Sequence, residues 1–214
     1  MDEMTAPERA RQAIIVAAGA QFALFGYEAT SLSRITKAMG KPKSAIGYHQ
    51  FPSKASLALA VIEQQQQRWR TIAEVIPKRA HLEYLATLLL TTSVEARQSP
   101  IAAGAIRLLH EAASTNFPVP PGFNWPELIN RELHACFVDA NINPRLLPTH
   151  AASLLLNASY GLLTSSQKFG FEEFIDHLKA LWIPLFESFG FRDAGERINQ
   201  VGPASMPNEL NAAC

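Results

Sequence analysis

The feature that most constrains this chain is an apolar period of three and four residues that runs through nearly every segment. It is broken at glycines and prolines, and no strand-like alternation of useful length accompanies it. Over 8–25, Ile14, Ala18, Phe22 and Phe25 fall on one helical face, and Gly26 follows as a C-cap. Thr30 or Ser31 can cap a second helix bearing Leu32, Ile35 and Met39, which Gly40 ends. Pro42 suits the start of a short helix over 43–49. Ser53 then caps a long helix carrying Leu57, Val61, Gln65, Trp69, Ile72 and Ile76, which stops at Pro77. Further helices are predicted at about 80–98, 101–115, 125–141, 149–168 and 171–189, with Pro184 kinking the last or ending it early. Beyond Gly190, glycines and prolines recur and apolar content falls, which predicts a frayed tail. The expected class is all-α: a helix-turn-helix head over 1–54, a helical body over 55–190 and a flexible tail over 191–214.

Charge is unevenly divided. The chain is neutral overall, but residues 1–54 hold seven Lys/Arg against four acids, a net of +3, and the remainder is −3. A basic head on an acidic body directs phosphate attraction to one end. Cys136 and Cys214 are too far apart in sequence for metal-ligand spacing and do not form a disulfide framework; Cys136 reads as a small core residue. No apolar run reaches the roughly 20 residues of a membrane span. The N-terminus, with Asp2, Glu3 and Pro7, does not resemble a signal peptide, so a cytoplasmic protein without membrane attachment is expected.

Three short helices followed by a long one, with a glycine in the second turn, is the arrangement of a helix-turn-helix, whose second paired helix enters the major groove. The polar residues there are Lys43, Ser44, Tyr48, His49 and Gln50, with Ala45 and Ile46 at least partly turned inward. Thr30, Ser31 and Lys54 stand at flanking helix starts, where free backbone N–H groups favour a phosphate oxygen. The run Phe22, Gly26-Tyr27, Thr30-Ser31, Ile35, Gly40, Lys43, Tyr48-His49, Phe51 and Pro52-Ser53-Lys54 resembles the DNA-binding domain of the TetR repressor family. The resemblance implies that Lys43, Ser44, Tyr48, His49 and Lys54 contact double-stranded DNA. Gly47-Tyr48-His49-Gln50-Phe51 is one residue longer than the family's usual end to the recognition helix, so Gln50 is either an insertion or a shift of register.

The body is rich in small and apolar side chains, among which Gln65, Arg107, Asn157, Tyr160 and Thr164 interrupt apolar faces. A mostly apolar pocket with a few polar groups is the usual form of a small-molecule site, and Trp125 would add a flat ring and one N–H donor. The stretch Ser99-Pro100-Ile101-Ala102-Ala103-Gly104-Ala105-Ile106-Arg107-Leu108, followed by a proline-rich loop and Asn124-Trp125, is similar to the γ-butyrolactone receptor branch of that family. That likeness implies a repressor of secondary-metabolism genes released by a lactone, butenolide or furan signal, with Trp125 covering the ligand. Gln65, Arg107, Tyr160 and Thr164 are the other candidate ligand contacts. Trp125 could instead close the loop onto the body as a core tryptophan, and Arg107 could equally be a structural ion-pair partner. A TetR-type regulator of an unrelated signal, such as a drug or an acyl-CoA, is the alternative.

The last two long helices offer a homodimer surface through Leu155, Ala158, Leu162, Phe174, Leu178, Leu181 and Leu185. A dimer would place two recognition helices about 34 Å apart, to match a palindromic operator. A helical enzyme is the competing class, and its best material is His110-Glu111 and His134 near Cys136. Two residues apart on a helix, His134 and Cys136 point in different directions, and HExxH, CxxC, Walker-loop and GxSxG motifs are missing. Neither catalytic residues nor a metal or cofactor are therefore expected.

Overall fold

The computed structural model describes residues 4–42, 44, 46, 50–78, 80–112, 124–166 and 168–205. The described regular elements are all helices: α1 (Ala6–Ala29), α2 (Leu32–Ala38), α3 (Lys54–Val75), α4 (His81–Gln98), α5 (Pro100–Ala112), α6 (Trp125–Asp139), α7 (Pro148–Ser165), α8 (Phe171–Phe189) and α9 (Ala194–Asn199). Most of the predicted short helix over 43–49 lies outside the described residues.

Helix starts follow their local chemistry. Thr5 and Glu8 form a capping box on α1, and the Ser31 hydroxyl accepts from the Arg34 N–H at the start of α2. At α3, Ser53 Oγ accepts from the Ser56 N–H at 3.0 Å while Ser56 Oγ accepts from the Ser53 N–H at 3.1 Å. Ser99 and Asn124 cap α5 and α6 in the same way, each ahead of an early proline. These side chains satisfy N–H groups that a helix start leaves without an internal partner.

Two compact units divide the chain. The first comprises the described residues of Met1–Arg68 and Ala96–Gly122, the second those of Trp69–Glu95 and Phe123–Pro207, so α3 and α4 each contribute to both. In the first unit Ile14, Ile15, Ala18 and Phe22 of α1 pack with Ile35 of α2, Leu57, Val61 and Ile62 of α3, and Ile101, Ala105 and Leu108 of α5. Here α1 and α5 approach at their backbones. A Cβ added to Gly19 would lie 2.7 Å from the Pro100 carbonyl oxygen, and one added to Gly104 would lie 2.8 Å from the Gly19 Cα.

The second unit is filled by aromatic side chains. Phe186 lies 5.7 Å from Phe191 and 6.0 Å from Phe189, Phe137 lies 5.4 Å from Phe191, and the Trp182 indole donates to Ser159 Oγ at 2.8 Å. Helix α8 continues through Pro184 to Phe189 and closes on Gly190 at φ +113°, so the proline does not end it early.

The expected frayed tail is corrected over its described part. Phe191, Ala194 and Ile198 are buried, α9 forms, and the Arg197 guanidinium makes two bonds of 2.7 Å to the Glu83 carboxylate. Three apolar side chains and one bidentate ion pair hold a segment whose composition pointed the other way. Residues 206–214 lie outside the described residues. Among the described residues no helix is long and apolar enough to cross a membrane.

Candidate nucleic-acid interface and ligand site

The end of α1 is the junction from which the rest of the head is positioned. Gly26, expected as the C-cap, instead breaks the helix at φ +74°, and three helical residues follow it. The break leaves the Tyr27 N–H without its regular helical acceptor, and Glu111 Oε2 from α5 takes it at 2.8 Å. A side chain at position 26 would collide with that carboxylate, so both the left-handed backbone and the neighbour require glycine. Arg107, one turn earlier on α5, bonds Glu111 at 2.8 Å and the Ala23 carbonyl at 2.9 Å. Lys54, the first residue of α3, donates to the Tyr27 carbonyl at 2.8 Å and the Glu28 carbonyl at 3.4 Å, and its Nζ lies 4.1 Å from the Tyr27 ring centroid. Cations belong at a helix C-terminus, where carbonyls are unpaired and the helix dipole is negative.

Several predicted DNA contacts take definite places. Thr30 is turned inward: it is 2% exposed and its hydroxyl donates to the Gly26 carbonyl at 2.7 Å. Its role here is to close α1, which corrects the expectation that it faces phosphate. Ser31 alone caps α2 and is exposed, as are Ser44 and Gln50. Lys54 is half-buried against α1. Ile46 is buried, in keeping with its inward reading. Lys43, Tyr48 and His49 lie outside the described residues, as does Ala45. Sequence reasoning passed over Arg34, Lys37 and Lys41, which are exposed on α2 and just after it; Arg34 lies 4.3 Å over the Phe25 ring. The basic excess of the head was the signal that could have found them.

The candidate ligand residues divide between the two units. Gln65 and Arg107 belong to the first, where Gln65 is buried and Arg107 is engaged with Glu111 and α1. Trp125, Tyr160 and Thr164 belong to the second. Thr164 is exposed and donates back to the Tyr160 and Gly161 carbonyls at 3.0 Å each, so its hydroxyl is used within its own helix. Tyr160 is half-buried. Trp125 is half-buried at the start of α6, and its ring lies 5.1 Å from that of Trp69 at an interplanar angle of 32°. Periodicity alone places Trp69 in the buried stripe of α3 and gives it no further role.

Three residues proposed for a dimer surface are corrected in the same way. Leu155, Phe174 and Leu178 have no exposed surface in the single chain, so they form its own core. Ala158, Leu162, Leu181 and Leu185 keep part of their surface, and Leu154 and Phe171 are 47% and 48% exposed. Cys136 is buried, and burial pushes its thiol up to about 12, while His134 is exposed. A thiol held neutral in this way is a poor nucleophile. Among the described residues no cluster of three His, Cys, Asp or Glu side chains is arranged to hold a metal ion.

Residues 14–61, which take in most of α1, all of α2 and the first turns of α3, match the bacterial regulatory proteins of the tetR family. No curated protein sequence matches the chain. A solved structure concerned with the molecular basis for control of antibiotic production by bacterial hormones is 28% identical, with a TM-score of 0.62, over 84% of this chain and 97% of its own. A γ-butyrolactone receptor described as ArpA-like has a TM-score of 0.72 at 23% identity, over 91% of this chain and 96% of its own. CprB from Streptomyces coelicolor, solved with its operator sequence, has a TM-score of 0.69 at 24% identity, over 90% of this chain and 95% of its own. The last two show likeness of fold.

Proposed function

From the premise that this chain is a DNA-binding regulator of the tetR family, with that family's head and the fold of its members rather than those of an enzyme, we propose that it holds a palindromic operator as a homodimer. A small γ-butyrolactone-like or furan signal then releases it. Its targets on this reading are secondary-metabolism genes, which it represses. The observation that carries the reading is the pairing of a tetR-type head over 14–61 with likeness to γ-butyrolactone receptors along nine-tenths of the chain.

The head, residues 1–54, meets DNA through Ser31, Ser44 and Gln50, all exposed, together with Lys43, Tyr48 and His49. Arg34, Lys37 and Lys41 add phosphate attraction. Lys54 serves the interface by fixing the end of α1 to the start of α3. The body binds the signal at Trp125, and dimer contacts run through Leu154, Ala158, Leu162, Leu181 and Leu185 on α7 and α8.

The switch needs a ligand that prefers the state unable to bind DNA, typically by about 1–3 kcal/mol of coupling. Helix α3 is the covalent route. Its first residue holds the end of α1, and Trp69, farther along the same helix, carries the ring that faces Trp125. A ligand that displaces these rings shifts a helix that also packs in the head.

The test is fluorescence anisotropy of labelled DNA from immediately upstream of the gene, titrated with protein and then with γ-butyrolactones and furans. Competitor-resistant binding reversed by one of these compounds is the expected result. Binding reversed only by a drug or an acyl-CoA would replace the signal class. The absence of specific binding, both upstream and in a random-sequence selection, would overturn the DNA-binding assignment.

A further inference from the structure

The chain has three tryptophans, and their indole N–H groups differ in circumstance. Trp182 is fully buried, and its N–H is satisfied by Ser159 Oγ at 2.8 Å. Trp125 is half-buried at the start of α6. Trp69 is 1% exposed, and its Nε1 is buried with no hydrogen-bond partner among the described residues. A buried donor in this condition is uncommon and marks a place where a polar partner is missing. The side-chain oxygen of Asn130, on the same helix as Trp125, is also buried and unpartnered.

No acceptor lies within hydrogen-bond distance of the Trp69 N–H among the described residues. On α6, Leu128, Ile129 and Leu133 are apolar and buried. What remains is a neutral N–H donor on one indole, with a second indole 5.1 Å away that offers a flat face.

We propose that Trp69 is a ligand-binding residue. Its indole N–H donates to a neutral oxygen acceptor on the signal molecule, the ring carbonyl of a lactone or butenolide, whose ring lies against the Trp125 face. This inference rests on the proposed function and sharpens it. Trp125 supplies shape and Trp69 supplies the directional bond. An uncharged donor of this kind favours a carbonyl over the same ring without one, because the carbonyl oxygen is the stronger acceptor and projects outside the ring, where the ether oxygen does not reach.

The experiment uses full-length protein labelled with 15N at the indole nitrogens, titrated with γ-butyrolactones and with the matching tetrahydrofurans that lack the ring carbonyl. The expected result is a downfield move of the Trp69 indole proton with a lactone and not with its tetrahydrofuran, while Trp182 serves as the unmoved reference. Trp69→Phe, which keeps a ring and removes the donor, should weaken lactone binding by about tenfold, the scale of one net hydrogen bond, and leave tetrahydrofuran binding as it was. If lactones move the Trp125 signal but not that of Trp69, and Trp69→Phe binds them as well as the parent protein, the inference is overturned while the signal class stands. If no lactone moves any indole, the signal class falls and the inference with it. The measurement on the parent protein decides the matter even if Trp69→Phe folds poorly.

Discussion

Where α1 meets α5, Gly19 and Gly104 bring two backbones together, and Glu111, Arg107 and the break at Gly26 tie the end of α1 in place through bonds of 2.8 to 2.9 Å. Around α8 the plan is opposite: Trp182, Phe174, Phe186, Phe189 and Phe191 fill space with large rings, and few specific polar bonds direct them. The first plan fixes position and contributes little apolar area, whereas the second contributes area and can repack around a changed side chain. The difference falls where the proposed function wants it. Helix α1 carries the core of the DNA-binding head, whose placement decides whether DNA is met, and the aromatic region has to give the second unit its stability. Substitutions in the two regions should therefore fail differently.

The largest effect belongs to the aromatic core. Phe186→Ala removes a fully buried ring and should cost about 3–5 kcal/mol, read as a lower denaturation midpoint. A loss under about 1 kcal/mol would mean that the region is not packed as described.

Gly104→Ala comes next. Its methyl would lie 2.8 Å from the Gly19 Cα, closer than real side chains allow. Alanine favours a helix by about 1 kcal/mol over glycine, but the clash should outweigh this and leave a net loss of about 1–3 kcal/mol. Because the helix displaced is α1, operator affinity should fall even at temperatures where the variant is fully folded. Unchanged affinity would break the contrast between the two regions.

The smallest effect is that of Arg197→Lys, which replaces a two-pronged bond to Glu83 by a single point charge. A loss of about 1 kcal/mol at neutral pH is expected. The Arg197 bond holds the Glu83 carboxyl below its ordinary value of 4.5. A carboxylate with a depressed value stabilises the fold fully above that ordinary value, and its contribution is lost as pH falls through the lowered one. The difference in stability between the parent and the variant should therefore be constant from neutral pH down to about 4.5 and shrink below it. A difference that grew on acidification would contradict the pairing.

The helices could be read from the sequence because their apolar residues recur at helical spacing: Leu57, Val61, Trp69, Ile72 and Ile76 all lie in the core. The caps at Ser31 and Ser53 could be read for a similar reason, since their partners are three residues away. What could not be read depends on partners distant in sequence. Glu111 meets Tyr27 across 84 residues, and nothing local at Gly26 announces that an acidic side chain will replace the missing helical acceptor. Composition alone points to a tail where α9 forms, because the Glu83 that holds Arg197 is 114 residues away. On α7 and α8, periodicity marks an apolar face without saying whether the chain's own core or a second copy covers it. Leu155, Phe174 and Leu178 proved to be core, while Leu154 stayed exposed. Trp69 carried no sign that its N–H would be left without an acceptor.

The central claim, that a signal bound at Trp125 releases this regulator from DNA, is tested most directly by operator-DNA anisotropy with the parent protein and with Trp125→Ala. The account predicts that both bind the operator and that a γ-butyrolactone or furan releases the parent but not the variant. Release of both by the same compound at the same concentration would contradict it.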